Sequence, residues 1–273
     1  MSSGMIGIIA SDMRQIYMAE ILEEKGYQVH LWNLMEKREE TEKEKEAHCE
    51  IWNAQALILP VPVSRLKDDG QILKEITEHA DTIKEVYGGA FPTQWKETLE
   101  AAGIQTTDVL EDESIARKNA VATAEGPVAE LMKLMPVNLE GSHVTVFGFG
   151  KCGRVIAEKL YCMGAAVSVA ARSEQALELA RFFGFESIPL ASEDLRLATA
   201  DAVVNTIPAP VIGKKEIDQL KDGAVIVDIA SAPGGCDSIY CGKKGIPYKL
   251  ALGLPGVYSP KTSALILLQA MPF

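Results

Sequence analysis

Short apolar runs alternate with longer segments of helical periodicity along most of this chain. In its first part, runs of strand length occur at residues 5–10, 27–32, 56–60, 82–87 and 104–110. Helical patterns separate most of these runs, at residues 14–25, 71–79 and 93–102. Strands that alternate with helices in this way predict a parallel sheet with helices on both faces.

The alternation resumes after a long segment of helical composition at residues 114–135. Within that segment, Gly126-Pro127 predicts a break or a fresh helix start. Further strands are predicted at residues 144–147, 165–171, 201–206, 223–229 and 248–251, and helices at 174–183 and 261–270. Residues 36–46 mix charges of both signs without an apolar face, which predicts an exposed helix or loop.

A glycine-rich turn joins the strand at residues 144–147 to the helix that follows it. The first glycine of such a turn permits a tight bend, the second lets backbone approach a pyrophosphate, and the third allows close helix–strand packing. The phosphates then lie at the helix N-terminus, where backbone N–H groups point at them. The residues predicted to bind the cofactor here are Gly148, Phe149, Gly150, Lys151, Cys152 and Gly153.

The end of the next strand indicates which dinucleotide binds. Arg172 and Ser173 stand there, about twenty residues beyond the glycines, where NAD-binding proteins usually carry an acidic residue. A guanidinium and a hydroxyl suit a 2′-phosphate through charge-assisted hydrogen bonds, which favours NADP. The alternative is that Arg172 is a solvated residue at the strand end and that Glu174 holds the ribose of NAD.

These patterns predict an α/β protein of two doubly wound parallel-sheet domains, the second a Rossmann dinucleotide-binding domain. Residues 1–114 would form a flavodoxin-like domain on the substrate side, joined by the C-terminal helix at 261–273. Residues 115–140 would form an interdomain helical segment, and residues 141–257 the NADP-binding Rossmann domain.

Composition narrows the classes of partner. A net charge of −11 argues against nucleic acid, because phosphate-backbone binding needs a basic face. An anionic ligand must therefore find a local group of Arg, Lys or helix N-termini. The five cysteines contain no Cys-x-x-Cys pair, which indicates reduced thiols without a metal site or a disulfide framework. No apolar run long enough to span a membrane is present, so we expect a cytoplasmic protein without membrane association.

Unusual residues follow three strands of the second domain, at the edge where ligands of open α/β sheets bind. Small residues, prolines and glycines there would let backbone close on a flat ring such as nicotinamide, although each stretch alone also suits an ordinary turn. The residues predicted to contact the cofactor at these ends are Asn205, Thr206, Ile207, Pro208, Ala230, Gly253 and Pro255.

Arg14 is the unusual residue of the first domain. It lies in the first turn of a predicted helix, where a cation is disfavoured by the helix dipole. Binding of a carboxylate across the cleft would account for it. The alternative is that this segment has only a structural role, in which Ser11 or Asp12, just before Arg14, caps the helix.

The chain resembles the dipicolinate synthase family of spore-forming bacteria, in particular its NADP-binding A subunits. The likeness lies in separated motifs spread over nearly the whole chain. They are Asp12-Met13-Arg14-Gln15, Ala56 to Pro60, Asn119 with Thr123 to Gly126, Gly148 to Gly153, Ala171-Arg172, Asn205 to Pro208, Ala230 to Gly235, Gly253 to Gly256 and Pro260-Lys261-Thr262.

The resemblance implies NADP-linked oxidation of dihydrodipicolinate, or of a hydroxy-tetrahydro precursor, to dipicolinate during sporulation. It also implies that the partner is the flavoprotein-like B subunit of dipicolinate synthase, and we expect a homo-oligomer. Two substrate carboxylates call for cations or N–H donors, and the residues predicted to bind them are Arg14, Ser231, Gly234, Gly235 and Lys261. Glu125 is expected to take the proton that the substrate loses. The predicted catalytic residues are Glu125 and Lys261.

Two other functions remain open at this point. One is a different two-domain dehydrogenase, similar to alanine or shikimate dehydrogenase; Asn205 to Pro208 suits the latter. The scattered histidines count against alanine and hydroxyacid dehydrogenases, which typically use one. The other is a non-catalytic protein that senses NADP(H).

Overall fold

The computed structural model describes residues 4–35, 50–66 and 68–273. The charged segment 36–46, expected to be an exposed helix or loop, lies outside these described residues. The chain divides into two compact units. Unit 1 comprises Met1–Asn119 with Ser259–Phe273, and unit 2 comprises Ala120–Tyr258.

Unit 1 contains a five-stranded sheet in which every pairing is parallel. Its strands are β1 (Met5–Ala10), β2 (Gln28–Asn33), β3 (Ala56–Ile58), β4 (Glu85–Gly88) and β5 (Gln105–Asp108), in the order β2-β1-β3-β4-β5. Its helices include α1 (Met13–Glu24), α2 (Asp69–Glu78) and α3 (Thr93–Ala101), with 3₁₀ turns at Ile51–Asn53 and Val63–Arg65. The strand order reverses between β1 and β3, which is the position where ligands bind in this topology.

Both faces of the unit 1 sheet are covered, as predicted for parallel strands. Ile8 and Ile9 are adjacent on β1 and therefore point to opposite faces of the sheet, and both are fully buried, as are Leu57 and Ile58 on β3. Helix α1 buries Met18 and Leu22 and packs against the C-terminal helix α10 (Pro260–Leu268). Residues 259–273 therefore complete the core of unit 1.

Helix α4 (Glu113–Leu134) runs without interruption through Pro127. The predicted break at Gly126-Pro127 is therefore wrong. A Cβ on Gly126 would lie 2.6 Å from the Leu254 side chain, so this glycine permits close packing against helix α9 (Leu254–Tyr258). A proline inside a helix removes one backbone hydrogen bond, and α4 nevertheless continues through it.

Unit 2 contains a six-stranded parallel sheet in the order β11-β10-β9-β6-β7-β8. The strands are β6 (His143–Phe147), β7 (Ala166–Ala171), β8 (Glu186–Pro189), β9 (Ala202–Asn205), β10 (Val225–Asp228) and β11 (Tyr248–Leu250). Helices α5 (Lys151–Cys162), α6 (Glu174–Phe182), α7 (Lys214–Ile217) and α8 (Ser238–Lys244) connect them. Counted from β6, this is the Rossmann order 3-2-1-4-5-6, so the predicted fold class is confirmed.

Strand β8 was not predicted from the sequence. Of its four residues, only Ile188 is buried, and the strand lies at the edge of the sheet. A short polar edge strand lacks the apolar run that marks a buried one.

Within the described parts of the chain, no helix is long and apolar enough to cross a membrane.

Candidate functional site

Unit 2 has a cavity of about 410 Å³ beside the carboxyl ends of β6 and β7. Its walls are the glycine turn at 148–150, the end of β7 at 171–173, and the start of α6 at Gln175 and Ala176. Leu179 of α6 and Ile207, after β9, complete the lining. Because β6 and β9 are neighbours on opposite sides of the strand-order reversal, the cavity occupies the position of the dinucleotide in Rossmann domains.

The glycines of the turn meet different requirements. Gly148 has φ +92°, a left-handed conformation that favours glycine. A Cβ on Gly153 would lie closer than 3.0 Å to the Gly148 carbonyl oxygen, whereas a Cβ on Gly150 would meet nothing within 4 Å. Packing within the protein therefore requires glycine at 153 and does not require it at 150. Space above Gly150 is what a pyrophosphate approaching the backbone needs.

The N-terminus of α5 is suited to an anion. Its N-cap is Gly150, which has no side chain to satisfy the N–H groups of the first helical turn. Those groups and the helix dipole favour a phosphate at this end. The residues present thus fit the diphosphate of a dinucleotide.

The three residues that follow β7, Arg172, Ser173 and Glu174, have different environments. Arg172 is exposed and lines the cavity. The Ser173 hydroxyl accepts a hydrogen bond from the Ala176 N–H at 3.2 Å and caps α6. The Glu174 carboxylate is paired with Arg181. This pairing engages the acidic residue that would otherwise suit the ribose of NAD.

A buried polar pair organises the loops after β9 and β10. Asn205 and Asp228 are fully buried, and the Asn205 amide donates to Asp228 Oδ1 at 2.9 Å. Asn205 also donates to the Ile207 carbonyl at 3.1 Å and accepts from the Ile207 N–H at 3.0 Å. Its side chain therefore holds the Ile207 backbone in place, next to the cavity that Ile207 lines.

Asp228 fixes the loop at 230–235 in a similar way. Its carboxylate accepts hydrogen bonds from the Ala230 N–H at 3.0 Å and the Gly235 N–H at 2.7 Å. A Cβ on Gly235 would lie closer than 3.0 Å to the Ile207 carbonyl oxygen. The N–H and the carbonyl of Gly235 are hydrogen-bonded within the protein, whereas Ser231 is exposed and Gly234 is half-buried.

The other predicted cofactor contacts lie at the same edge of the sheet. The Thr206 hydroxyl donates to the Phe147 carbonyl at 2.8 Å, which ties β9 to the glycine turn. Pro208 is exposed, and Gly253, with φ +67°, leads into α9, where Pro255 is buried. The assignment of Pro208, Gly253 and Pro255 to the cofactor remains a prediction.

Cys152 lies in the first turn of α5, directly after the glycine turn, but it is not an activated nucleophile. Burial raises the pKa of its thiol, and this outweighs the hydrogen bond with Thr123 and the charge of Lys151, which lower it. The thiol form is therefore favoured despite the helix N-terminus. Cys152 acts here as a small half-buried residue in the first turn of α5.

The two residues predicted to be catalytic are both exposed. Glu125 lies on α4, where its carboxylate is 3.3 Å from Lys159 Nζ, and it does not line the cavity beside the glycine turn. Lys261 is exposed in the first turn of α10, in unit 1. Both assignments stay predictions.

Arg14 is buried, with a side chain only 2% exposed. Its Nε donates to Asp12 Oδ1 at 3.0 Å and its Nη2 to Asp12 Oδ2 at 2.7 Å, and Nη2 also reaches the Val61 carbonyl. Asp12 is the N-cap of α1 and forms a capping box with Gln15, so the expected cap is confirmed. These contacts explain the arginine near a helix N-terminus without a ligand, and its assignment to substrate binding stays untested.

Arg65 is a residue that sequence reasoning missed. Its guanidinium pairs with the same Asp12 carboxylate, and its side chain is 31% exposed. Burial would raise the pKa of Asp12, but hydrogen bonds and charge from Arg14, with the charge of Arg65, lower it below the ordinary value. Sequence spacing offers no signal for this pair, because the two residues are brought together by the adjacency of β1 and β3.

Comparison with known proteins supports the resemblance stated for both units. Residues 5–110 match the family described as the N-terminal domain of the dipicolinate synthase A subunit. The A subunit of dipicolinate synthase from Bacillus subtilis (strain 168) is 34% identical over 165 residues, which are 60% of this chain and 55% of that protein. The chain resembles the dipicolinate synthase A subunit. It spans about half the length of the curated relatives it matches.

Solved structures agree with this resemblance over a longer stretch. The crystal structure of the dipicolinate synthase A subunit from Bacillus halodurans has a TM-score of 0.78 and 25% identity, covering 98% of this chain and 96% of that one. The A chain of dipicolinate synthase from Bacillus subtilis shares the fold, with a TM-score of 0.76 at 24% identity over 98% of this chain and 94% of that one. The predicted resemblance is thereby confirmed.

Unit 2 is identified separately. Residues 113–233 match the NAD-binding domain of D-isomer specific 2-hydroxyacid dehydrogenases. This match and the glycine turn together identify a nicotinamide dinucleotide-binding domain of the dehydrogenase type. The cavity beside Gly148 and Arg172 is accordingly the candidate cofactor site.

Proposed function

We propose that this chain is an NADP-dependent oxidoreductase that oxidises dihydrodipicolinate, or a hydroxy-tetrahydro precursor, to dipicolinate. The observation that carries the cofactor choice is Arg172, exposed at the cavity wall while the neighbouring Glu174 is paired with Arg181. The resemblance to dipicolinate synthase over both units supports the substrate.

Oxidation of a dihydropyridine dicarboxylate removes two electrons and two hydrogen nuclei from the ring. One ring carbon loses a hydride, a second ring position loses a proton, and the product is an aromatic pyridine. A hydroxy-tetrahydro precursor must in addition lose water, which converts it to the dihydropyridine. NADP⁺, when bound, accepts that hydride. Because aromaticity favours the product, the protein chiefly needs to position the two rings and recognise their anionic groups.

Residues of unit 2 supply the positioning on the cofactor side. The glycine turn and the N-terminus of α5 would hold the diphosphate, and Arg172 would hold the 2′-phosphate through charge-assisted hydrogen bonds. Asn205 and Asp228 keep the Ile207 and 230–235 loops fixed from below, with hydrogen bonds of 2.7 to 3.1 Å. Such a support shell limits the loss of orientation during the reaction.

The proposed partner is the flavoprotein-like B subunit of dipicolinate synthase, since the relatives are named as A subunits and a second kind of subunit is implied.

The decisive experiment mixes the purified chain with dihydrodipicolinate and either NADP⁺ or NAD⁺, in the presence and absence of that partner. We expect dipicolinate and NADPH to form in equal amounts, faster with NADP⁺. Turnover of shikimate instead would indicate the alternative dehydrogenase, and NADPH binding without any turnover would indicate a sensor.

A further inference from the structure

We propose that unit 1 carries a carboxylate-binding site of its own, with Arg65 as the residue that contacts the ligand. The site lies after β1 and β3, where the strand order of the five-stranded sheet reverses. The choice of a carboxylate as ligand rests on the function proposed above, whereas the arrangement of cations does not.

The topology brings the required residues together. Strands β1 and β3 pair in parallel, with Ile8 opposite Ile58, so their carboxyl ends are adjacent. Asp12 follows β1 and caps α1, and Arg65 ends the 3₁₀ turn that follows β3. Ligands of open parallel sheets bind at such ends.

Among the described residues, two cations share one carboxylate at this point. Both Arg14 and Arg65 donate to the single carboxylate of Asp12. Arginine remains charged at all ordinary pH values, and Asp12 stays ionised between the two guanidinium groups. In a protein of net charge −11, a local positive excess is a feature that can attract an anion.

Two buried polar atoms beside these charges add a second, independent indication. The Gln15 amide accepts from the Asp12 N–H at 3.1 Å and the Ser11 N–H at 3.3 Å, and Gln15 is fully buried. Its Nε2 atom and the Ser11 hydroxyl have no hydrogen-bond partner among the residues that the structure describes. Buried donors normally have an acceptor. Neither atom has accessible surface, so a ligand carboxylate would reach them by a local shift of the side chains around Asp12.

The two arginines have different roles in this arrangement. Arg14 is 2% exposed and bonded to Asp12 and to the Val61 backbone, so it acts as a positioning residue. Arg65 is 31% exposed and uses only Nη1 toward Asp12 among the described residues. Its other nitrogens can form the paired hydrogen bonds that a guanidinium makes with a carboxylate.

The test is calorimetric titration of the full chain with pyridine-2,6-dicarboxylate in metal-free buffer. Arg65→Ala should weaken binding at least about tenfold, since it removes a charged contact that is partly withdrawn from water. Ser11→Ala should weaken it by about threefold, as expected for one hydrogen bond. Arg117→Ala is the matched control, because Arg117 is an exposed arginine of unit 1 paired with Glu113, and it should leave affinity within about twofold.

Arg65→Lys provides the answer if Arg65→Ala does not fold, because a lysine can retain the pair with Asp12. It should bind more weakly than the unchanged protein but keep the melting temperature within a few degrees. Inorganic phosphate in place of the dicarboxylate should bind more weakly. Absence of dicarboxylate binding in the unchanged protein, or affinity within about twofold in either Arg65 variant, overturns the proposal.

This result is separable from the proposed function. If the protein binds the dicarboxylate through Arg65 yet oxidises no dihydropyridine, the site stands and the proposed reaction fails. If turnover occurs and does not depend on Arg65, the reaction stands and this site fails.

Discussion

The two units place a helix N-terminus at the same topological position and use it differently. In unit 2, helix α5 follows the central strand β6 and its N-cap is Gly150, which leaves the first turn without a side-chain cap. In unit 1, helix α1 follows β1 and its N-cap is Asp12, whose carboxylate accepts from the Arg14 N–H at 2.9 Å. One N-terminus is open to an external anion, and the other is already occupied by an internal one.

This difference indicates which chemical groups are available to bind an anion in each unit, backbone N–H groups or side chains. An open N-terminus offers backbone donors, which suit a phosphate group. A capped N-terminus cannot offer them, so anion recognition in unit 1 must come from side chains. Asp12 makes this possible by holding two guanidinium groups, one buried and one partly exposed. The same topology thus supports backbone recognition in one unit and side-chain recognition in the other.

Removing the Asp12 carboxylate of unit 1 should have the largest effect on the free energy of unfolding. Asp12→Asn leaves two adjacent arginines without their shared carboxylate, and loss of one partner from a buried ion pair costs about 3–5 kcal/mol. We therefore expect the free energy of unfolding to fall by about 3 kcal/mol or more, measured by urea denaturation. Glu78→Gln is the control, because its pair with Lys74 is exposed on both sides and should be worth less than about 0.5 kcal/mol.

The pH dependence of this effect follows from the lowered pKa of Asp12. A carboxyl with a depressed pKa in the folded protein contributes stability above its unfolded pKa and loses it as pH falls through the folded value. The folded value lies below 3.8, so the difference between Asp12→Asn and the unchanged protein should stay constant between about pH 5 and pH 8. A difference that shrank within this range would show that Asp12 is not held ionised by Arg14 and Arg65.

The glycine turn of unit 2 should separate packing from ligand binding. Gly153→Ala places a Cβ closer than 3.0 Å to the Gly148 carbonyl oxygen, and no side-chain rotation can relieve that contact. The steric cost exceeds the gain of alanine over glycine in a helix, so the free energy of unfolding should fall by about 2 kcal/mol.

Gly150→Ala is the matched variant, since its Cβ meets nothing within 4 Å. It should change unfolding by less than about 0.5 kcal/mol and weaken NADPH binding at least about tenfold, because the Cβ stands where the pyrophosphate approaches. Equal NADPH affinity in Gly150→Ala and the unchanged protein, measured by fluorescence titration, would contradict the placement of the diphosphate.

The candidate cofactor site of unit 2, in which backbone N–H groups would bind the ligand, could be predicted from the sequence. Glycines at 148, 150 and 153 between an apolar strand and an amphipathic helix define a local geometry, and the alternation of strands and helices defines the sheet around it. The resemblance to dipicolinate synthase, carried by motifs along the chain, was likewise predicted and is confirmed. Information of this kind is local, so a sequence pattern is sufficient.

The cluster of Asp12, Arg14 and Arg65 in unit 1 could not be predicted from the sequence. Arg14 was expected to face a ligand, yet its guanidinium is bonded to Asp12 and the Val61 carbonyl. Arg65 was not considered, because its pair with Asp12 depends on the pairing of β1 with β3. The Asn205–Asp228 hydrogen bond similarly joins residues that end adjacent strands. Contacts set by strand order leave no periodicity or spacing in the sequence.

The most direct test of the account is the preference of the chain for NADPH over NADH. Both dissociation constants should be measured for the unchanged protein, for Arg172→Ala and for Glu174→Gln. We expect NADPH to bind at least about tenfold more tightly, which is about 1.4 kcal/mol, and Arg172→Ala to remove most of that difference. Glu174→Gln should change neither affinity by more than about twofold, since Glu174 is paired with Arg181 at an exposed position. Equal affinities in the unchanged protein, or loss of NADH binding in Glu174→Gln, would contradict an NADP site built around Arg172.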